Sequence, residues 1–85
     1  MGRAHRNRPK RLAEKLLAIR TRLDLTQPEL IKLLRVKGER LHPASISLYE
    51  QGKREPPLIV LLRYARLVGV TMDVLVDDKL DLPRP

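Results

Sequence analysis

His42, Ser45 and Ser47 come nearest to a hydrolytic set in this chain, a base and two hydroxyls inside the stretch HPASISLYEQGKREPP, residues 42 to 57. A serine nucleophile needs a base within reach and that base needs an orienting group, yet no Asp or second His lies close in sequence. His5 and His42 lack a third strong ligand placed with them, so a metal site is not expected either. The expectation is a protein with no catalytic residues and no cofactor. The same stretch offers a different chemistry. Coiled as a helix, it puts Ile46 and Tyr49 on one side and Ala44, Ser47, Leu48 and Gln51 on the other, followed by Lys53 and Arg54. One side can anchor; the other is small, neutral and available for contact.

The charge pattern says what that contact is with. The net charge is +8. Residues 1–22 carry eight Lys/Arg against Glu14 alone, and residues 35–54 carry five against two acids, so the positive charge gathers at the amino terminus and around the opening stretch. A polyanion is the natural partner. The basic arm lacks the apolar residues an interfacial helix would insert, which puts nucleic acid ahead of a membrane surface. With two Tyr and no Phe or Trp, a base-stacking RNA module is a poor fit.

The bulk numbers allow one small domain. Eighty-five residues, 42 % of them hydrophobic, fill one modest core. No cysteine is present, which excludes disulfides and thiolate metal sites and fits a reducing cytoplasm. The longest apolar run, LIVLL at residues 58–62, is far short of the roughly eighteen residues of a membrane span, and no signal core follows the basic start. A cytoplasmic protein is expected.

Five helices should position these residues. Residues 1–9 read as a flexible basic arm. Leu12, Leu16, Ile19 and Leu23 predict an amphipathic helix over 10–23, with Lys15, Arg20 and Arg22 outside its apolar stripe. Thr26 and Glu29 form a capping box for a second helix, with Pro28 tolerated in its first turn. Leu30, Leu33 and Leu34 give its core face, and it should stop near Val36 with Gly38 as its cap. Pro43 opens the third helix and Gly52 closes it. A fourth helix over about 57–68 places Leu58, Leu61, Leu62, Ala65 and Val68 inward and ends at Gly69; Thr71 caps a last one through Val76. Residues 78–85 read as a tail, and no segment alternates at period two. The class is all-α, with the domain spanning 10–77.

In order along the chain, LTQPELIKLL, ISLYEQGKREP and LIVLLRYARLVGVTMDVLV resemble the Cro/CI-type (Xre-like) helix-turn-helix DNA-binding domain over roughly residues 11–77. The resemblance implies a compact five-helix, lambda-repressor-like fold whose third helix enters the major groove of double-stranded DNA while the second lies across the backbone. Carried over by position, Gln27 is a backbone anchor, and His42 and Pro43 sit at the groove entrance. Ala44, Ser47 and Leu48 face bases, with Gln51 added if it reaches, while Lys53 and Arg54 take phosphates. Small side chains at 44 and 47 suit close approach, Ser47 can donate or accept, and Ala44 or Leu48 can pack on a thymine methyl. With no Arg, Gln or Asn on the exposed face between 43 and 50, DNA shape should contribute to preference.

Two departures from the family pattern stand out. Leu30 to Glu50 spans twenty residues, about five more than usual, the extra ones lying near RVKGE; Ile31 stands where alanine is usual. The inserted turn carries Arg35, Lys37 and Arg40 against Glu39 and reads either as a phosphate-touching loop or as a basic surface loop. Arg3, Arg6 and Arg8 in the arm are expected to reach DNA rather than merely solubilise. Glu50 is expected to hold the helix by pairing with a basic residue rather than read cytosine.

Val60 and Leu67, with Tyr64 beside them, lie off the expected core stripe of the fourth helix and mark a candidate homodimer surface. The function expected is a transcriptional repressor binding an operator as a dimer. An antitoxin-type protein that holds a partner and represses its own operon is the alternative, and nonspecific nucleic-acid packaging fits less well.

Overall fold

Leu16, Leu30, Ile46 and Leu75, from four different helices, are each fully buried, and Tyr64 from a fifth joins them. The computed structural model describes residues 8–38 and 40–84. Its helices are α1 (Leu12–Arg22), α2 (Gln27–Leu34), α3 (Pro43–Glu50), α4 (Leu58–Val68) and α5 (Met72–Val76), with no strand among the described residues. α1 packs on α3 and α5, α2 on α3 and α4, and α4 on α5, so each helix is held by at least two others or by the centre of the core. Each fully buried aliphatic side chain contributes about 1.5–3 kcal/mol. No helix among the described residues is long and apolar enough to cross a membrane.

Local chemistry sets the ends of the helices. Thr26 Oγ1 accepts from the Glu29 amide at 3.3 Å, and Glu29 Oε1 accepts from the Thr26 amide at 2.8 Å, the expected capping box. The Thr26 amide, and after it the Thr26 side chain, hold the Glu29 carboxyl below its ordinary value. α4 ends at Gly69 in the left-handed region (φ 73°), where the Val70 amide reaches back to the Ala65 carbonyl at 2.9 Å.

Several sequence expectations need correction. α2 stops at Leu34, and Arg35, not Gly38, takes the left-handed cap position with φ 52°. Leu33 is 48 % exposed, because the buried pair Leu30 and Leu34 turns the inner face of α2 toward Ile31. Leu23 lies beyond the last turn of α1 and is exposed; Leu25, past the left-handed Asp24, packs on the core instead. Thr71 precedes α5, but its side chain makes no cap bond.

The largest correction concerns α4. Val60 and Tyr64 are fully buried and so are not open to a second copy as expected, while Leu67 packs against the core but stays half-exposed. α4 lies between α2 and α5, and a helix covered from two directions needs a wider apolar stripe than a single-sided pattern assumes. Leu58 and Ile59, at its amino-terminal end, are the exposed ones, at 76 % and 42 %.

Lys15, expected outside the apolar stripe of α1, is 2 % exposed. Its Nζ donates to the carbonyls of Val74 (2.8 Å) and Asp77 (2.9 Å), the free acceptors at the end of α5. The segment after α5 is likewise engaged. The Asp78 carboxylate accepts from the amides of Lys10 and Arg11, both at 2.9 Å, capping the start of α1. Arg11 donates to the Asp78 carbonyl and to Asp81 Oδ1, Arg22 donates to the Pro83 carbonyl, and Leu82 packs on the core. Residues 78–84 therefore form a strap along α1.

Candidate nucleic-acid interface

α3 begins after His42, whose extended backbone (φ −118°) gives way to Pro43 at the first helical position. Ile46 and Tyr49 are buried, at 0 % and 4 % exposure, and root the helix in the core. On the other side His42, Pro43, Ala44 and Gln51 are exposed, and Ser47 and Leu48 are half-exposed. The outward face is thus the neutral one, with nothing longer than Gln51 to keep another surface away.

Two of its polar groups meet each other. Gln51 Nε2 donates to Ser47 Oγ at 2.8 Å. The Ser47 hydroxyl hydrogen remains able to donate outward, and Gln51 Oε1 remains able to accept, which suits mixed donor and acceptor edges in a major groove.

The helix is held from behind by an ion pair. Arg20 of α1 donates through Nε to Glu50 Oε2 at 2.7 Å and through Nη2 to Glu50 Oε1 at 3.0 Å, while Nη1 reaches the Leu25 carbonyl at 3.0 Å. The Glu50 side chain is only 6 % exposed, so it holds α3 against α1 and is turned away from any base-reading role. Donation to Glu50 is the chief reason the Arg20 guanidinium holds its proton more tightly than usual. Nearby, burial pushes the Tyr64 hydroxyl strongly up, with the Glu50 charge adding to the effect.

Beyond α3 the chain turns sharply at Gly52 (φ 73°). The Gly52 amide donates to the Tyr49 carbonyl at 3.1 Å and the Lys53 amide to the Leu48 carbonyl at 3.0 Å, a paired closure that needs the left-handed residue. Lys53 and Arg54 emerge exposed from this turn. Arg54 lines a cleft with Arg8, Lys10, Ala13, Tyr49 and Gly52, and Arg8 Nε lies 3.9 Å from Glu55 Oε2. The arm therefore joins the domain beside the carboxyl-terminal end of α3. Arg3 and Arg6 lie outside the described residues.

A second cationic group lies at the other end of α3. Arg35, Lys37 and Arg40 are exposed on the inserted turn, which runs directly into His42; Glu39 lies outside the described residues. Val36 and Leu41 pack against the core, so the turn is tied down at both ends. Arg63 of α4 ties it further, donating through Nε to the Leu34 carbonyl at 2.7 Å and through Nη2 to the Arg35 carbonyl at 3.0 Å. Gln27 is half-exposed at the first position of α2.

The predicted backbone-binding cations thus fall into two groups along the chain, one before α3 and one after it, and Arg35 and Lys37 of the first share a cleft with Ile59 and Arg63 of α4. Sequence reading missed Lys10 and Arg63. Lys10 follows the expected arm and joins the cleft only through the fold; Arg63 is an unremarked cation inside an apolar helix, and only its carbonyl partners give it meaning. Among the described residues no three His, Asp or Glu side chains are grouped to hold a metal ion.

A search among curated proteins gives no match. A helix-turn-helix family model matches residues 16–75, most of the chain and all of α2 and α3. The chain is a member of the Cro/CI-type helix-turn-helix family of DNA-binding transcription regulators.

Proposed function

We propose that the protein is a transcriptional repressor that occupies operator DNA with α3 in the major groove. The observation that carries this reading is the two-sidedness of α3: Ile46 and Tyr49 are buried and Glu50 is locked to Arg20, while Ala44, Ser47, Leu48 and Gln51 face outward between two exposed groups of cations. His42 and Pro43 stand at the entrance to the groove. Gln27, Lys53 and Arg54 take phosphates, and the arm carrying Arg3, Arg6 and Arg8 follows the duplex from the far end of α3.

Two copies bind two half-sites about one helical turn, roughly 34 Å, apart. Repression follows from occupying promoter DNA. The exposure of Leu58 and Ile59 supports a second reading, in which an antitoxin-type protein covers them with a partner while repressing its own operon. Selection of duplexes from a randomised library by the purified chain, followed by footprinting on its own upstream DNA and mass measurement in solution, tests both. A palindromic site bound by a dimer is the expected result. Failure to enrich any sequence contradicts the operator reading.

A further inference from the structure

We infer that Arg63 is a positioning residue for DNA recognition, aiming the inserted turn so that its cations meet the phosphates beside the amino-terminal end of α3; this rests on the DNA reading above. Arg63 is far in sequence from the recognition helix, and its guanidinium does not face the groove. It spans the Leu34 and Arg35 carbonyls at 2.7 and 3.0 Å. These are the carbonyls left open where α2 stops, and a cation there also complements the negative end of the helix.

The need for such a clamp is local. Arg35 holds φ 52°, a left-handed conformation in which a side chain is disfavoured and where glycine is the ordinary choice. Arg63 fixes that departure point from α4. Its helical neighbours Val60 and Tyr64 are fully buried, so the base of its side chain cannot shift without moving the core. Val36 and then Leu41 pack on the core, leaving Lys37 and Arg40 exposed between them. The turn is long, yet it leaves α2 in one direction and enters α3 through His42.

Cations presented from an anchored turn lose less freedom on meeting phosphates than the same cations on a loose loop. Arg35, Lys37 and Arg40 at one end of α3, with Lys53, Arg54 and Arg8 at the other, would then grip the backbone on both sides of the bases being read. Arg63 is what keeps the first group in place. Lysine is not equivalent: an ammonium can meet two carbonyls, as Lys15 does, but on a flexible stem it lacks the planar fork that fixes the angle at which the Leu34 and Arg35 carbonyls are held.

The test uses the full chain and a duplex enriched by the wild-type protein from a randomised library. Arg63→Lys retains charge and much of the stem, and Arg63→Ala is made beside it; circular dichroism melts establish that each variant is folded at the binding temperature. Affinity is measured across a salt series for wild type, Arg63→Lys, the double variant Lys37→Gln/Arg40→Gln, and all three changes together. The expected result is that folded Arg63→Lys loses about tenfold in affinity and has a salt dependence shallower by about one to two phosphate contacts. The Lys37/Arg40 changes, costly in wild type, should then cost little in the Arg63→Lys background.

A folded Arg63→Lys protein with the wild-type salt slope, in which the Lys37/Arg40 changes keep their full effect, overturns the clamp while leaving the DNA reading intact. Failure of the wild-type chain to enrich any duplex overturns both. An Arg63→Ala protein that does not fold leaves the Lys variant to decide.

Discussion

Arg20 and Glu50, thirty residues apart, meet through two hydrogen bonds of 2.7 and 3.0 Å, and the pair joins the last turn of α1 to the last residue of α3. Coulomb attraction alone does not justify such a pair, since burying charge costs free energy that the attraction only partly returns. Its role is orientation. A planar guanidinium and a planar carboxylate joined at two points resist rotation of α3 about its own axis, which one contact would permit.

Glu50→Ala should therefore destabilise the protein by about 2–4 kcal/mol, toward the low side of the range for a fully buried pair because Arg20 keeps 22 % exposure. Glu50→Gln should cost less, retaining one acceptor for Arg20. Urea unfolding of the three proteins, followed by circular dichroism, gives the order.

Acid should loosen the strap before the core. The Lys10 and Arg11 amides hold the Asp78 carboxyl below its ordinary value, so its contribution to stability is complete above the unfolded carboxyl range and fades as pH falls through the depressed folded value. Glu29 acts in the same direction through Thr26. Stability should fall as pH drops below about 4. Asp78→Ala should be less stable at neutral pH and show a shallower acid decline, measured by melting temperature against pH.

The Tyr64 hydroxyl is fully buried and has no hydrogen-bond partner among the described residues. An unsatisfied buried hydroxyl costs about 1–3 kcal/mol, so Tyr64→Phe should leave stability unchanged or raise it by about 1 kcal/mol. Because the side chain is inside the core, the same substitution should leave the mass in solution unaltered, as light scattering would record.

Much of this architecture is legible in the sequence because local signals and the tertiary fold agree. The Thr26 and Glu29 capping box, Pro43 before α3 and Gly52 after it are each decided within a few residues, and each stands as expected. Ile46 and Tyr49 anchor α3 as their spacing predicts. What depends on neighbours is harder to read. Lys15 is polar by type, but the open carbonyls of α5 make its position a buried one. Val60 and Tyr64 fall off the apolar stripe only when α4 is read as packing on one side, whereas it packs on both α2 and α5. Residues 78–84 read as a tail because Asp78 binds amides at the opposite end of the chain, a relation no local pattern encodes.

In the proposed complex α3 reads bases while the cations beyond it only fasten the backbone. Affinity and base preference of four variants, measured on the duplex enriched by wild type and on single-base variants of it, test this most directly. Lys53→Ala and Arg54→Ala should weaken binding on all sequences alike and lower the salt slope by about one each. Ser47→Ala and Leu48→Ala should change which base is preferred, by about 1–3 kcal/mol at the position each contacts. Wild-type base preference in both the Ser47 and Leu48 variants would contradict the assignment of α3 as the reader.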